Sequence, residues 1–132
     1  MAKLTEAQAA ILKAPVFAYI ATINPDGSPQ TSPVWIDYDG THVIVNSEIK
    51  RAKVRNVQRD PRVSISVQNP DNPYSYIEIR GRVVDMTEEG AFEDIDRLAK
   101  KYLGQDKYPY NKPDDRRVIL KIEPTRVLQP MG

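Results

Sequence analysis

The sequence predicts a mainly β fold, a six-stranded antiparallel barrel with helical insertions. Three observations carry that prediction. Hairpin-type turns join the early strands, which disfavours a parallel sheet. Short segments alternate apolar and polar residues, as in Val63-Ser64-Ile65-Ser66-Val67. Closing so few strands into a barrel also removes the edges they would otherwise leave open. At 132 residues the chain suits one domain, residues 1–132, with room for one sizeable core.

Taken in order, Thr5-Glu6-Ala7-Gln8 has the form of a capping box. The short helix it opens should end near Lys13, because Pro15 cannot continue it. Val16 to Thr22 is rich in β-formers, and Asn24-Pro25-Asp26-Gly27-Ser28-Pro29 is a strong turn signal. A second strand, Gln30 to Tyr38, closes through Asp39-Gly40 into a third, Thr41 to Asn46, so the first three strands read as a meander. Ile49 to Gln58 reads as a short helix with Val54 and Val57 facing the core, stopped at Asp60-Pro61. After the Val63–Val67 strand, Asn69 to Pro73 reads as loop and Tyr74 to Asp85 as a long strand. Gly81 inside it marks a bulge or bend. Thr87 is expected to cap a helix through Leu103, with Phe92, Ile95, Leu98, Ala99 and Tyr102 on one stripe and Gly104 as its stop. The last strand is expected from Arg116 to Glu123, broken by Pro124.

Composition narrows the chemistry. Nineteen Lys and Arg against eighteen Asp and Glu leave a net charge of +1, which gives no overall pull toward nucleic acid or an anionic membrane. There is no cysteine, which excludes disulfides, thiolate metal sites and a Cys nucleophile. The single histidine, His42, makes a His-based metal site or a Ser-His-Asp triad hard to build and reads as structural. No run reaches the roughly 18–20 apolar residues that span a bilayer. The first residues lack the features of a signal peptide, so a soluble cytoplasmic protein is expected. No GxGxxG, Walker loop, HExxH or metal-ligand cluster is present. If the protein is an enzyme, a cofactor rather than its side chains carries the reaction.

The neutral total hides a local asymmetry. Lys50 to Arg62 holds six bases (Lys50, Arg51, Lys53, Arg55, Arg59, Arg62) and one acid, whereas Asp85 to Asp96 holds six acids and no base. The basic run opens a helix directly after a strand, and Asn46 and Ser47 precede it. Free N–H groups and the positive dipole end of that helix, with Arg51 and Lys53 beside them, make a phosphate cradle. The alternative is a solvated basic helix face. Trp35 follows Pro33, whose missing N–H leaves a gap in the ladder that could present backbone to a planar ligand. Core packing beside an edge strand explains it equally. Tyr74 and Tyr76 alternate on one face and line either a cleft or an ordinary amphipathic surface.

The order of these features resembles the pyridoxamine 5′-phosphate oxidase-like superfamily. The residues that carry the likeness are Ala21-Thr22, Asp26 to Trp35, and above all Arg51-Ala52-Lys53-Val54-Arg55-Asn56 followed by Arg59-Asp60-Pro61-Arg62. Tyr74-Ser75-Tyr76, Ile79-Arg80-Gly81 and Asp115 to Val118 fall where the flavin/deazaflavin oxidoreductase branch has comparable segments. The match spans essentially the whole chain. It implies a split β-barrel, the FMN-binding split barrel, and a homodimer with cofactor sites at the interface. By position, Arg51, Lys53, Ser47 and Asn56 would hold the cofactor phosphate. Ser32, Pro33 and Val34 would lie along the ring, and the partner subunit would add Tyr74, Tyr76 and Arg117. The vitamin-B6 oxidases carry a longer C-terminal segment with Arg and His for the substrate phosphate. Arg126 to Gly132 has no such pair, which implies a different substrate.

The function expected from this likeness is hydride transfer between reduced coenzyme F420 and a small quinone-like or tetrapyrrole-like acceptor. The surplus bases Lys50, Arg55, Arg59 and Arg62 would suit an anionic cofactor tail. FMN is the alternative cofactor, and a non-catalytic flavin- or tetrapyrrole-binding module the alternative role. No catalytic side chain and no metal are indicated.

Overall fold

The computed structural model describes residues 2–129. Helix α1 (Glu6–Lys13) starts at Thr5, whose hydroxyl accepts the Gln8 N–H while the Gln8 side chain accepts the Thr5 N–H. There follow β1 (Phe17–Ile23), β2 (Pro29–Trp35), β3 (Asp37–Tyr38), β4 (Val43–Glu48), α2 (Ala52–Arg59), β5 (Arg62–Asn69), β6 (Asn72–Thr87), α3 (Ala91–Leu103) and β7 (Arg117–Leu128). The strands form one antiparallel seven-stranded sheet in the order β2-β1-β5-β6-β7-β4-β3.

The seventh strand comes from a break at Ile36. The predicted strand Gln30–Tyr38 pairs its first part with β1 and its last two residues with β4, at opposite edges of the sheet. One residue links those edges, so the sheet must curl until they meet. The third strand of the expected meander accordingly meets only Asp37-Tyr38 of the second and takes β7 as its other neighbour. Inside the curl lies the core, including Ile20, Ile36, Val45, Val54, Ile65, Ile79, Leu120 and Ile122, all at most 1% exposed. Along β4, Val43, Ile44 and Val45 are buried in succession, because the barrel takes one face and α3 covers the other.

Other boundaries shift for local reasons. Helix α2 begins at Ala52, with Arg51 in extended conformation as N-cap. Helix α3 is capped by Gly90 at φ 77°, because the Thr87 hydroxyl accepts the Glu89 N–H and turns the chain one step earlier. The buried stripe of α3 is Ala91, Ile95, Leu98 and Ala99, and Phe92 stays exposed. The expected Asn69–Pro73 loop tightens to Pro70-Asp71, and β6 starts at Asn72. Pro124 does not end β7. Arg80 pairs with Arg126 but Gly81 with Pro124, so Thr125 is the extra residue of a bulge that also accommodates the missing proline N–H.

The break at Ile36 leaves backbone groups without strand partners, and the end of α3 supplies them. The Tyr102 hydroxyl accepts the Ile36 N–H at 2.9 Å and donates to the Val16 carbonyl at 2.6 Å. Lys101 Nζ donates to the carbonyls of Ile36 at 2.5 Å and Leu12 at 2.7 Å. Burial pushes the Lys101 ammonium down from 10.5 to about 8 and the Tyr102 phenol up to about 12. Two donors suffice for these carbonyls, so neutral Lys101 keeps both bonds. Because the folded state binds its proton less tightly, the contribution of this residue to stability rises as pH climbs from about 8 toward 10.5. Lys101→Met is expected to cost about 2 kcal/mol by orphaning two carbonyls, lowering the melting temperature by about 7 °C. Thermal denaturation followed by circular dichroism checks it.

Candidate functional site

Strand β4 delivers Asn46, Ser47 and Glu48 to one end of the barrel, and the chain then turns into α2. No side chain caps α2, whose first turn contains no acid. Beside it opens a cavity of about 180 Å³ lined by two unlike sets of residues, which meet where Arg117 sits 4.8 Å over the Tyr108 ring. One set is polar and mostly cationic: Asn46, Ser47, Glu48, Arg51, Lys53 and Arg117. The other set is apolar and aromatic: Phe17, Pro33, Val34, Trp35, Ile95 and Tyr108. Trp35 stacks on Tyr102 at 4.7 Å, and Tyr108 meets Trp35 edge-on at 5.7 Å.

The cationic set is electrostatically incomplete. Among the described residues, no carboxylate lies within ion-pair distance of Arg51, Lys53 or Arg117. Lys53 is only 6% exposed and Arg117 8%. Burial, with the guanidinium groups of Arg51 and Arg117 adding to it, pushes the Lys53 ammonium down from 10.5 to about 8. Buried cations are ordinarily paired or bonded to compensating groups, so this cluster fits an anionic ligand such as a phosphate. Glu48 also belongs to this set; its carboxylate accepts the backbone N–H groups of Lys50 and Arg116 and makes no ion pair with the three cations.

Of the residues singled out in the sequence, Pro33, Val34, Ser47, Arg51 and Lys53 come together here. Ser32 is on the same edge strand but does not line the cavity; its hydroxyl is buried without a hydrogen-bond partner. Asn56 is not brought to the site either. Its amide donates to Thr22 and Asn24 and accepts from Arg59, tying α2 to β1. Tyr74 and Tyr76 stand exposed on the outer face of β6, away from the lining. Arg117, expected from a partner, lies in the pocket of its own chain. Tyr108 carried no signal in the sequence, because its loop has no period that would tell which side chains turn inward.

The basic run also changes meaning. Lys50 pairs with Asp114, and Arg62 with Asp60, whose carboxyl is held down at about 2. Arg55 and Arg59 bond to the carbonyls of Lys50 and Ile23. Beyond the pocket, therefore, only Arg55 and Arg59 of the four surplus bases lack a carboxylate partner among the described residues.

Residues 4–129 match the family described as pyridoxamine 5′-phosphate oxidase. The chain belongs to that family. A solved F420 reductase is 34% identical, with a TM-score of 0.82, over 95% of this chain and 98% of that one. A pyridoxamine 5′-phosphate oxidase-like protein from Listeria innocua is 22% identical, with a TM-score of 0.71, over 93% and 94% of the two chains. A related FMN-binding protein from Nostoc punctiforme is 15% identical, with a TM-score of 0.68, over 100% and 86%. The last two likenesses bear on the fold alone, and that fold is the split barrel expected from the sequence. Membership in a flavin-related oxidoreductase family agrees with a site rich in binding groups. No helix among the described residues is long and apolar enough to cross a membrane.

Proposed function

We propose that this protein is an oxidoreductase dependent on coenzyme F420, acting on a small quinone-like or tetrapyrrole-like acceptor. The observation that carries the reading is two buried cations without a carboxylate partner among the described residues, Lys53 and Arg117, with the exposed Arg51 and an aromatic wall beside them. The bound deazaflavin would supply the hydride chemistry, and the protein supplies binding, orientation and exclusion of water. Arg51, Lys53 and the open N-terminus of α2 bind phosphate, with Ser47 beside them. Pro33 and Val34 on the free edge of β2 lie along the ring, where proline presents no N–H of its own. Arg55 follows Arg51 by one helical turn and Arg59 follows by two. This places Arg55 and Arg59 on one face of α2, with the N-cap Arg51 ahead of them, for an anionic extension of the cofactor.

A homodimer is part of the proposal. The cavity of about 180 Å³ falls below the roughly 300–1,000 Å³ usual for a cofactor pocket, so a second surface is needed to complete it. Phe17 and Tyr19 on β1 are 56% and 54% exposed, and Tyr74 and Tyr76 on β6 are 73% and 38% exposed. These aromatic side chains share the outer face of the sheet around the small Ser64 and Ser66. This face, aromatic side chains with the Glu78–Arg80 ion pair beside the two serines, suits a second copy, whose Tyr74 and Tyr76 would then reach the ring.

FMN is the second reading, favoured by the pairing of Lys50 and Arg62, which leaves fewer free cations for a long anionic tail. Purification and titration separate the two. The protein is expected to be colourless as isolated, to quench coenzyme F420 fluorescence, and to reduce a quinone when given the reduced coenzyme. Trp35, the only tryptophan, reports binding from the cavity wall. Co-purified FMN would transfer the proposal to the second reading, and binding of neither cofactor would overturn both.

A further inference from the structure

Arg117 is held in an unusual way for a nearly buried arginine. Its Nε donates to Asn111 Oδ1 at 3.0 Å and its Nη1 to Asn46 Oδ1 at 2.9 Å. Its guanidinium carbon sits 4.8 Å over the Tyr108 ring. All three partners are neutral. The bonds orient the guanidinium and use two of its five N–H donors while leaving its charge intact.

Acids are close enough that this neutrality is not trivial. The other end of the Asn46 amide donates to Asp94 Oδ2 at 3.0 Å and to the Ala91 carbonyl at 2.8 Å. Asn46 thus stands between a carboxylate and Arg117, and Asp94 is engaged by Arg97 instead, which also pairs with Asp37. On the loop side, Asp115 accepts the Lys112 N–H and Asp114 pairs with Lys50. The segment before β7 therefore holds two acids, yet an asparagine faces Arg117.

We infer that Asn111 and Asn46 are positioning residues for anion binding. They fix Arg117 at the pocket through uncharged oxygens, so that its full charge remains for the ligand phosphate. This inference rests on the proposed phosphate pocket and adds to it a reason why amides, not carboxylates, surround the third cation. A merely structural role predicts that a carboxylate would serve as well or better, because a charged acceptor strengthens the bond to arginine.

Asn111→Asp, Asn111→Ala and Asn111→Gln separate these roles when the variants are compared with the wild type. Two quantities are read on each: melting temperature, and affinity for FMN and coenzyme F420 by Trp35 fluorescence and calorimetry. Asn111→Asp is expected to melt at or above Asn111→Ala, since it keeps the bond. Its affinity is expected to be the lower of the two, with a loss of about fiftyfold against about fivefold for alanine. Asn111→Gln should recover most of the binding. Opposite orders in stability and affinity are what a structural role cannot give. If the wild type binds and Asn111→Asp binds at least as tightly as Asn111→Ala, the positioning role is overturned and the pocket stands. If the wild type binds neither cofactor, the pocket falls and this inference with it.

Discussion

Replacing Arg51 and Lys53 together by glutamate is expected to weaken cofactor binding by about 10³-fold or more. Two favourable charges become two unfavourable ones beside the α2 N-terminus, where the helix dipole already favours an anion. Lys53→Met separates electrostatics from folding, since it keeps the buried stem and removes only the charge. A loss of about thirtyfold is expected for it, with an unchanged or higher melting temperature. The wild-type pH dependence follows from the same residue. In the free protein the Lys53 ammonium titrates at about 8, and a bound phosphate raises that value. Binding therefore takes up a proton above about pH 8, and affinity should fall as pH rises through that range. Titrations between pH 6.5 and about 9.5 test this. A flat profile, or full affinity in the double variant, would remove Lys53 from the site.

The largest stability effect is expected at Gly81. A Cβ built there would lie 2.5 Å from the Glu123 carbonyl oxygen and 3.1 Å from the Ile122 side chain. The nearer atom is backbone, held by the pairing of β6 with β7, so it has no flexible end to move aside. Gly81→Ala should cost about 3 kcal/mol, lowering the melting temperature by about 10 °C. Its signature is specific: the loss should appear as faster amide exchange along Gly81–Thr87 and Ile119–Glu123. An alanine variant that melts with the wild type would show that the two strands separate there without penalty.

Gly81 also marks how far local sequence carries. A glycine inside a long β-forming run announces a bulge, and the bulge is there; its partner, Thr125, could not be named, because register belongs to two strands at once. The capping box at Thr5 and the stop at Gly104 were legible for the same reason, since each is closed within a few residues. At Thr87 a legible cap was outcompeted by a neighbouring turn. Pro124 reads as a strand end because proline lacks an N–H, and only the bulge opposite it supplies a position where none is needed.

The site divides along the same line. Arg51 and Lys53 were readable because strand, turn and helix start follow one another in the chain and bring their own dipole. Asn56 shares that run, yet its amide is drawn into the Thr22–Asn24–Arg59 network. Arg117 and Tyr108 lie far along the sequence; Arg117 reaches the pocket through the pairing of β4 with β7, and Tyr108 through its N–H bond to Asp96 on α3 and its contact with Trp35. The sequence, by itself, determined a neutral, cysteine-free chain with a single histidine and a basic strand-to-helix turn. Those are properties of composition and of neighbours in the chain. The tertiary structure alone decided which of the cations stay unpaired. Charge compensation depends on what the curled sheet brings within a few ångströms, and that curl is fixed by the one-residue crossing at Ile36 and the α3 side chains that satisfy it.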